Sequence, residues 1–348
     1  MTEYPSDREL VRLAREGKDL TRSEIIRLLS LSESDAETLL YPAADAVRSE
    51  AVGDAVHLRG IIEFSNCCER DCLYCGLRRS NARLNRYRMA EAEILAVARQ
   101  IRDAGIMTVV LQSGEDSFYS RDMICGLVSR IREESGLIVT LSIGEKTPQD
   151  YQAYREAGAD RYLLKHEISS AMLYRLMRPD STPGGRLRCL RELGRQGYEV
   201  GTGNIVGLPG QTLEILADDL LLMKALDADM LGIGPFLPHP ETPLAISPPG
   251  QMAPTLKTLA LARLMTRTTN IPATTALGTL APDGRLKALR AGANVVMPDF
   301  TPPSYRQLYE IYPGRNLASD PADFLKQLHD QIVKLGRTVG TDTGSRKK

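Results

Sequence analysis

Eight short apolar runs recur between residues 57 and 297, and amphipathic stretches separate them. The runs are 57–64, 107–112, 137–143, 161–165, 198–206, 229–234, 271–275 and 293–297. Segments with helical periodicity lie near 89–104, 121–134, 147–157, 184–196, 212–227, 255–267 and 283–291. Short strands alternating with longer helices predict a parallel sheet, because a parallel pair needs a crossover long enough to hold a helix. The pieces DAGIM (103–107), EAGAD (156–160) and RAGAN (290–294) share one form, a helix ending on Gly before a strand. Eight units close into a (β/α)8 barrel of the TIM type, with its active site at the C-terminal ends of the strands. An open, doubly wound sheet is the competing topology.

The flanks read differently. Residues 1–50 have helical periodicity around Ile25, Ile26, Leu28 and Leu29, with a helix start at Ser32, and form an N-terminal helical extension. The barrel is expected over 51–315 and a C-terminal helix and polar tail over 316–348, with the helix at 323–335 and the tail GTDTGSRKK disordered. Lys plus Arg equals Asp plus Glu at 44 each, so no overall field favours nucleic acid or an anionic membrane. The apolar stretch 213–234 is interrupted by Glu214, Asp218, Asp219, Lys224, Asp227 and Asp229, which excludes a span there. The opening MTEYPSDREL has no basic-then-apolar signal pattern, so a cytoplasmic chain is expected.

Four of the six cysteines fall between 67 and 75, and clustered cysteines in a reducing compartment point to metal rather than disulfides. Cys68, Cys72 and Cys75 have the spacing C-x3-C-x2-C directly after the first strand. Three thiolates on a 4Fe–4S cube leave one iron free for a small molecule, whereas electron-transfer clusters commonly take four cysteines. Structural zinc needs four ligands, and no fourth Cys or His lies nearby. Cys67 offers a second register with a first gap of four, and otherwise reads as a small apolar residue behind the loop; Cys125 and Cys189 read as core. His166, His239 and His329 lack ligand spacing.

At these residues the sequence resembles the radical S-adenosylmethionine (SAM) superfamily, and within it the HydE family of FeFe-hydrogenase maturases. The likeness runs from about residue 45 to 315 and is carried by IIEFSNCCERDCLYCGLRRSN (61–81), VVLQSGED (109–116), AGADRYLLKHE (157–167), LMRPD (176–180), GIGPFLPHPETPLA (232–245) and NIPATTALGT (270–279). GLPGQT (207–212) recurs widely in the superfamily and is less specific. The resemblance implies one 4Fe–4S cluster on Cys68, Cys72 and Cys75, with SAM on the open iron. It implies a 5′-deoxyadenosyl radical that acts on a small organometallic substrate, a cysteine-bound Fe(CO)2(CN) unit, during assembly of the two-iron subcluster of the H-cluster. Other hydrogenase maturases and a reductant such as ferredoxin or flavodoxin are the implied partners.

The resemblance also places residues. Tyr74 approaches adenine or packs the loop. Gln112, Ser113, Gly114 and Glu115 meet the SAM amino group, or form a polar turn. Glu167 reaches the ribose or the methionine amine and Arg186 pairs with the SAM carboxylate; without the resemblance both read as surface ion pairs. Gly203 and Ile205 lie on an adenine-contacting strand end. Thr140, Arg161, Lys165, Thr274, Thr275, Met297, Tyr305, Tyr309 and Tyr312 line the interior, where hydroxyls and two cations suit an anion. Bland readings remain for these: strand threonines and helix-face tyrosines.

Two departures stand out. Lys165 occupies a position where the family is expected to have Arg, and Lys lacks the planar two-point donor. No cysteine follows Cys189, so a second cluster on C-terminal cysteines is not expected. Two other functions compete. A radical SAM amino-acid mutase resembling methylornithine synthase would need groups for an ammonium and a carboxylate in the barrel. A non-catalytic iron–sulfur scaffold would need the three cysteines but not the SAM-binding set.

Overall fold

The computed structural model describes residues 5–314 and 321–347. Its strands are β1 Ala55–Leu58, β2 Gly60–Ser65, β3 Thr108–Ser113, β4 Ile138–Ser142, β5 Ala159–Leu163, β6 Glu199–Thr202, β7 Ile205–Val206, β8 Met230–Leu231, β9 Gly234–Pro235, β10 Val295–Val296 and β11 Thr338–Val339. Six of them form a parallel sheet in the order β2-β3-β4-β5-β6-β8. The ring closes through shorter pairings: Met230 bridges Asn270, Pro272 bridges Val295, His57 and Leu58 register with Val295 and Val296, and Ile61 bridges Asp299. All are parallel, so the eight predicted strands make a closed (β/α)8 barrel. Two of them bend, β6 into β7 at Gly203 and β8 into β9 at Gly232. Gly203 permits this because a Cβ there would come within 2.1 Å of the Gly232 carbonyl oxygen.

Local chemistry accounts for the helices. Ser120, Thr147, Thr182 and Thr212 each cap a helix by accepting a backbone N–H three residues on. Gly158 and Gly292 end their helices at φ of 107° and 108°, which L side chains rarely adopt. Three helices lie outside the predicted segments: Ala171–Met177, Thr275–Leu280 and Pro303–Arg306. The N-terminal region is helical up to Val52, and Leu10, Ile25, Leu28 and Val47 pack in one core with Leu216, Leu259 and Leu261 of the barrel's outer helices. A second core, including Ile62, Val109, Val139 and Tyr162, fills the space between the opposite wall and its helices. No helix among the described residues is long and apolar enough to cross a membrane.

The C-terminal segment departs from expectation. The boundary expected at 315/316 falls outside the described residues, but the tail beyond the helix Pro321–Lys334 is ordered. β11 pairs with β1 at Ala55 and Val56, the N-terminal end of the barrel. The chain then crosses the barrel floor. The Thr343 carbonyl accepts from Arg161 Nη2 (2.8 Å), and the Gly344 carbonyl accepts from Arg59 Nη2 (3.1 Å) and Asn270 Nδ2 (2.9 Å). Burial pulls the Arg59 guanidinium down to about 9, with Arg161 adding to the effect, and the Gly344 carbonyl does for it what water would do outside. Deleting residues 341–348 should lower the unfolding free energy by about 2–4 kcal/mol, the scale of one or two lost bonds from charged donors. A melt identical to that of the intact chain would show that the tail only rests on the floor.

Candidate active site at the barrel mouth

The loop after β2 carries Cys68, Cys72 and Cys75, and polar side chains fold it over the strand ends. Asn66 Nδ2 donates to the carbonyls of Asn85 and Leu308, both at 2.8 Å. Arg86 sits inside the loop and donates to the carbonyls of Asn66 (2.6 Å), Leu77 (2.9 Å) and Arg78 (2.7 Å). Gly114 lets the end of β3 approach, since a Cβ there would lie 2.1 Å from the Cys67 carbonyl oxygen and 2.7 Å from Cys68 Cβ. Cys67 points away, with Sγ 3.7 Å from the Tyr87 carbonyl oxygen. Cys125 and Cys189 pack against the second core.

Cys68, Cys72 and Cys75 line a single cavity of about 350 Å³, within the size range of small-molecule sites. Burial pushes all three thiols up, so thiolates here need a bound cation. Among the described residues no three His, Cys, Asp or Glu side chains converge on a point that a single metal ion could occupy. Three cysteines that line one cavity suit an iron–sulfur cube with one open iron, whereas structural zinc takes four ligands.

The wall above the sulfurs is a web of ion pairs. Arg70 Nε is 2.7 Å from Glu115, and Arg186 Nε is 3.0 Å from Glu145. Arg178 Nη1 donates to Tyr74 Oη at 2.8 Å, and the guanidinium lies 3.8 Å from both Glu115 and Glu167. Burial opposes its charge, but Tyr74, Cys72 and Glu167 hold Arg178 firmly protonated. Burial likewise keeps the Tyr74 phenol protonated. Glu167 Oε2 is buried without a hydrogen-bond partner, and Lys165 Nζ is its loose neighbour at 3.6 Å. An unsatisfied carboxylate oxygen facing a cavity is an acceptor awaiting a donor.

The structure brings Tyr74, Gln112, Ser113, Gly114, Glu115, Glu167, Arg186 and Ile205 to this cavity, and Lys165, Thr274, Thr275, Met297, Tyr309 and Tyr312 with them. Four expected positions do not line it. Arg161 is fully buried at the floor, where Glu199 and the tail occupy its guanidinium (Nε to Glu199, 2.8 Å). Thr140 is its register partner on β4, and its hydroxyl has no hydrogen-bond partner. Tyr305 donates to Glu93 at 2.9 Å and stacks on Tyr87, outside the barrel. Gly203 has its backbone against Gly232 rather than facing the cavity. The expected pair of interior cations is therefore one, Lys165; an alternating strand fixes a side chain's face but not its depth.

Three charged residues that line the cavity were not anticipated, Arg70, Arg178 and Glu63. Arg70 and Arg178 stand inside the quoted segments CERDC and LMRPD, but no rule of spacing marks them. Glu145, after the end of β4, lies behind the cavity wall and reaches it only through Arg186 and Arg70. Glu63 is the register partner of Gln112 and stands one layer below the mouth.

A family profile described as the radical SAM superfamily matches residues 62–223. The FeFe-hydrogenase maturase subunit HydE of Thermotoga maritima is 48% identical over 334 residues, covering 96% of this chain and 96% of that protein. A 3-methylornithine synthase of Methanosarcina barkeri is 34% identical over 291 residues, covering 83% and 82%. The crystal structure of a methylornithine synthase superposes with a TM-score of 0.84 at 30% identity, covering 95% of this chain and 97% of that one. Nearly full-length identity to the maturase, on a barrel with three cysteines at its mouth, shows that this chain belongs to the HydE family of radical SAM enzymes.

Proposed function

We propose that this radical SAM enzyme acts in building the two-iron subcluster of the FeFe-hydrogenase H-cluster, on a cysteine-bound Fe(CO)2(CN) unit. The observation that carries the reading is the 48% identity over 334 residues, 96% of both chains. The family uses a 4Fe–4S cluster and SAM. Cys68, Cys72 and Cys75, which line the cavity, would hold one cluster and leave one of its irons without a protein ligand. Once reduced by an external one-electron donor, a bound cluster would supply the electron that cleaves a carbon–sulfur bond of SAM into methionine and a 5′-deoxyadenosyl radical.

The chain's own residues bind and orient. Glu167 accepts from the ribose or the methionine ammonium through its unsatisfied oxygen. Arg186 exchanges part of its contact with Glu145 for the SAM carboxylate, a planar fork meeting a planar acceptor. Tyr74 and Ile205 pack the adenine, and Gln112 to Glu115 face the amino group. Deeper, Lys165, Thr274 and Thr275 offer donors to an anionic iron complex. Other hydrogenase maturases, and a ferredoxin or flavodoxin as reductant, are the partners this role requires.

Lys165→Met should spare SAM cleavage without substrate, yet lower turnover of the iron complex by about tenfold to a hundredfold, as loss of one charged hydrogen bond does. Lys165→Arg should remain active because it keeps the charge and adds the second donor. Anaerobic assay of each variant with SAM, reductant and the iron complex checks this. Normal turnover by Lys165→Met would sink the pocket assignment and raise the weight of an amino-acid mutase.

A further inference from the structure

Glu167 is one of three non-glycine described residues with positive φ, at 69°, and the only one of them on the cavity. That backbone is disfavoured for a residue with a Cβ, so its neighbours must hold it. Its N–H donates to the Gly203 carbonyl (2.9 Å), and its carbonyl accepts from Ile205 N–H (3.1 Å). These two bonds bridge the segment after β5 to Asn204, between β6 and β7.

One buried carboxylate holds both segments. Asp219, fully buried on the helix Leu213–Ala225, accepts the Ser169 N–H at 2.6 Å through Oδ1 and Asn204 Nδ2 at 2.8 Å through Oδ2. His166 Nε2 lies 3.3 Å from Oδ1, and its Nδ1 lies 3.1 Å from the Thr202 hydroxyl, which also accepts the His166 N–H. An imidazole that donates from Nε2 and accepts at Nδ1 satisfies both ring nitrogens and the Thr202 hydroxyl. His166, Ser169 and Asn204 bracket Glu167 on both of its sides. Asp219 itself does not line the cavity.

The geometry points to Asp219 as a positioning residue: with His166 and Asn204 it clamps Glu167 in its left-handed backbone and aims that carboxylate at SAM. The inference rests on the reading of Glu167 as a SAM ligand. Two buried bonds to a charged acceptor are the kind that fix a conformation rather than follow it.

The test is a double-mutant cycle on the cluster-loaded enzyme, using Asp219→Asn, Glu167→Gln and both together. SAM affinity is read from the cluster's spin-resonance signal during titration, with iron content and Tm measured in parallel. Asp219→Asn should weaken SAM binding about tenfold at normal iron content. Glu167→Gln should weaken it at least as much, and the double variant should be no worse than Glu167→Gln alone. A loss of stability from Asp219→Asn would recur in the double variant, but a loss of SAM affinity acting through Glu167 would not. Unchanged affinity in Asp219→Asn, or losses that multiply in the double variant, would overturn the clamp. Normal SAM binding by Glu167→Gln would remove the reading beneath it, and the clamp with it. Should Asp219→Asn fail to fold, Asn204→Ala removes one arm. A loss of about threefold that vanishes in the Glu167→Gln background supports the clamp, and no loss overturns it.

Discussion

Serine at Cys68, Cys72 or Cys75 should reduce SAM cleavage to an undetectable level, while serine at Cys67 should leave most of it. A hydroxyl is a hard, weakly acidic donor and a poor replacement for thiolate on an iron–sulfide cube. The three sulfurs share one cavity, whereas Cys67 Sγ faces the Tyr87 carbonyl. Reconstitution of each variant, with iron content and 5′-deoxyadenosine formation as readouts, separates the registers. A dead Cys67→Ser beside an active Cys68→Ser would place the cluster one residue earlier. The reconstituted parent should hold about four irons, as one cube requires.

Arg178→Met should have the next largest effect. Arg178 is buried and faces Tyr74, Glu115 and Glu167 at once. Removing it leaves two half-buried carboxylates short of positive charge, which should cost about 1.5–3 kcal/mol of stability. SAM binding should fall at least tenfold, because the carboxylates then turn to Arg186 and Lys165 and take those groups from the ligand. Arg178→Lys should fall between, keeping charge but losing the fork. Parental SAM affinity in Arg178→Met would mean that the ion-pair web is scaffolding alone.

The barrel was legible because its signals repeat: apolar runs, amphipathic crossovers and Gly-ended helices recur along the chain. The cysteine loop was legible as a candidate site because its spacing is one that cluster ligands use, and the structure brings the three cysteines to one cavity. Glu167 and Arg186 carried no such signal, and only the likeness of their flanking segments placed them. Arg178 follows a helix of seven residues, Ala171–Met177, too short to show a periodic stripe.

Arg161 and the tail were misread for a common reason. Two-residue alternation told that Arg161 faces inward, but not that its guanidinium lies on the floor, against Glu199 and Thr343. The tail's composition describes what it offers to water. It does not describe what Arg59, Arg161 and Asn270 lack, which is carbonyl oxygen, and the tail supplies it. The two errors are halves of one contact.

The proposed role requires this barrel to pair radical SAM chemistry with an iron-bound substrate. Anaerobic incubation of the reconstituted enzyme with SAM, reductant and the cysteine-bound Fe(CO)2(CN) unit tests it most directly. 5′-Deoxyadenosine should form together with consumption of the iron complex, and free amino acids offered in place of that complex should not be rearranged. Cleavage of SAM that leaves the iron complex intact, with an amino acid rearranged instead, would contradict the account.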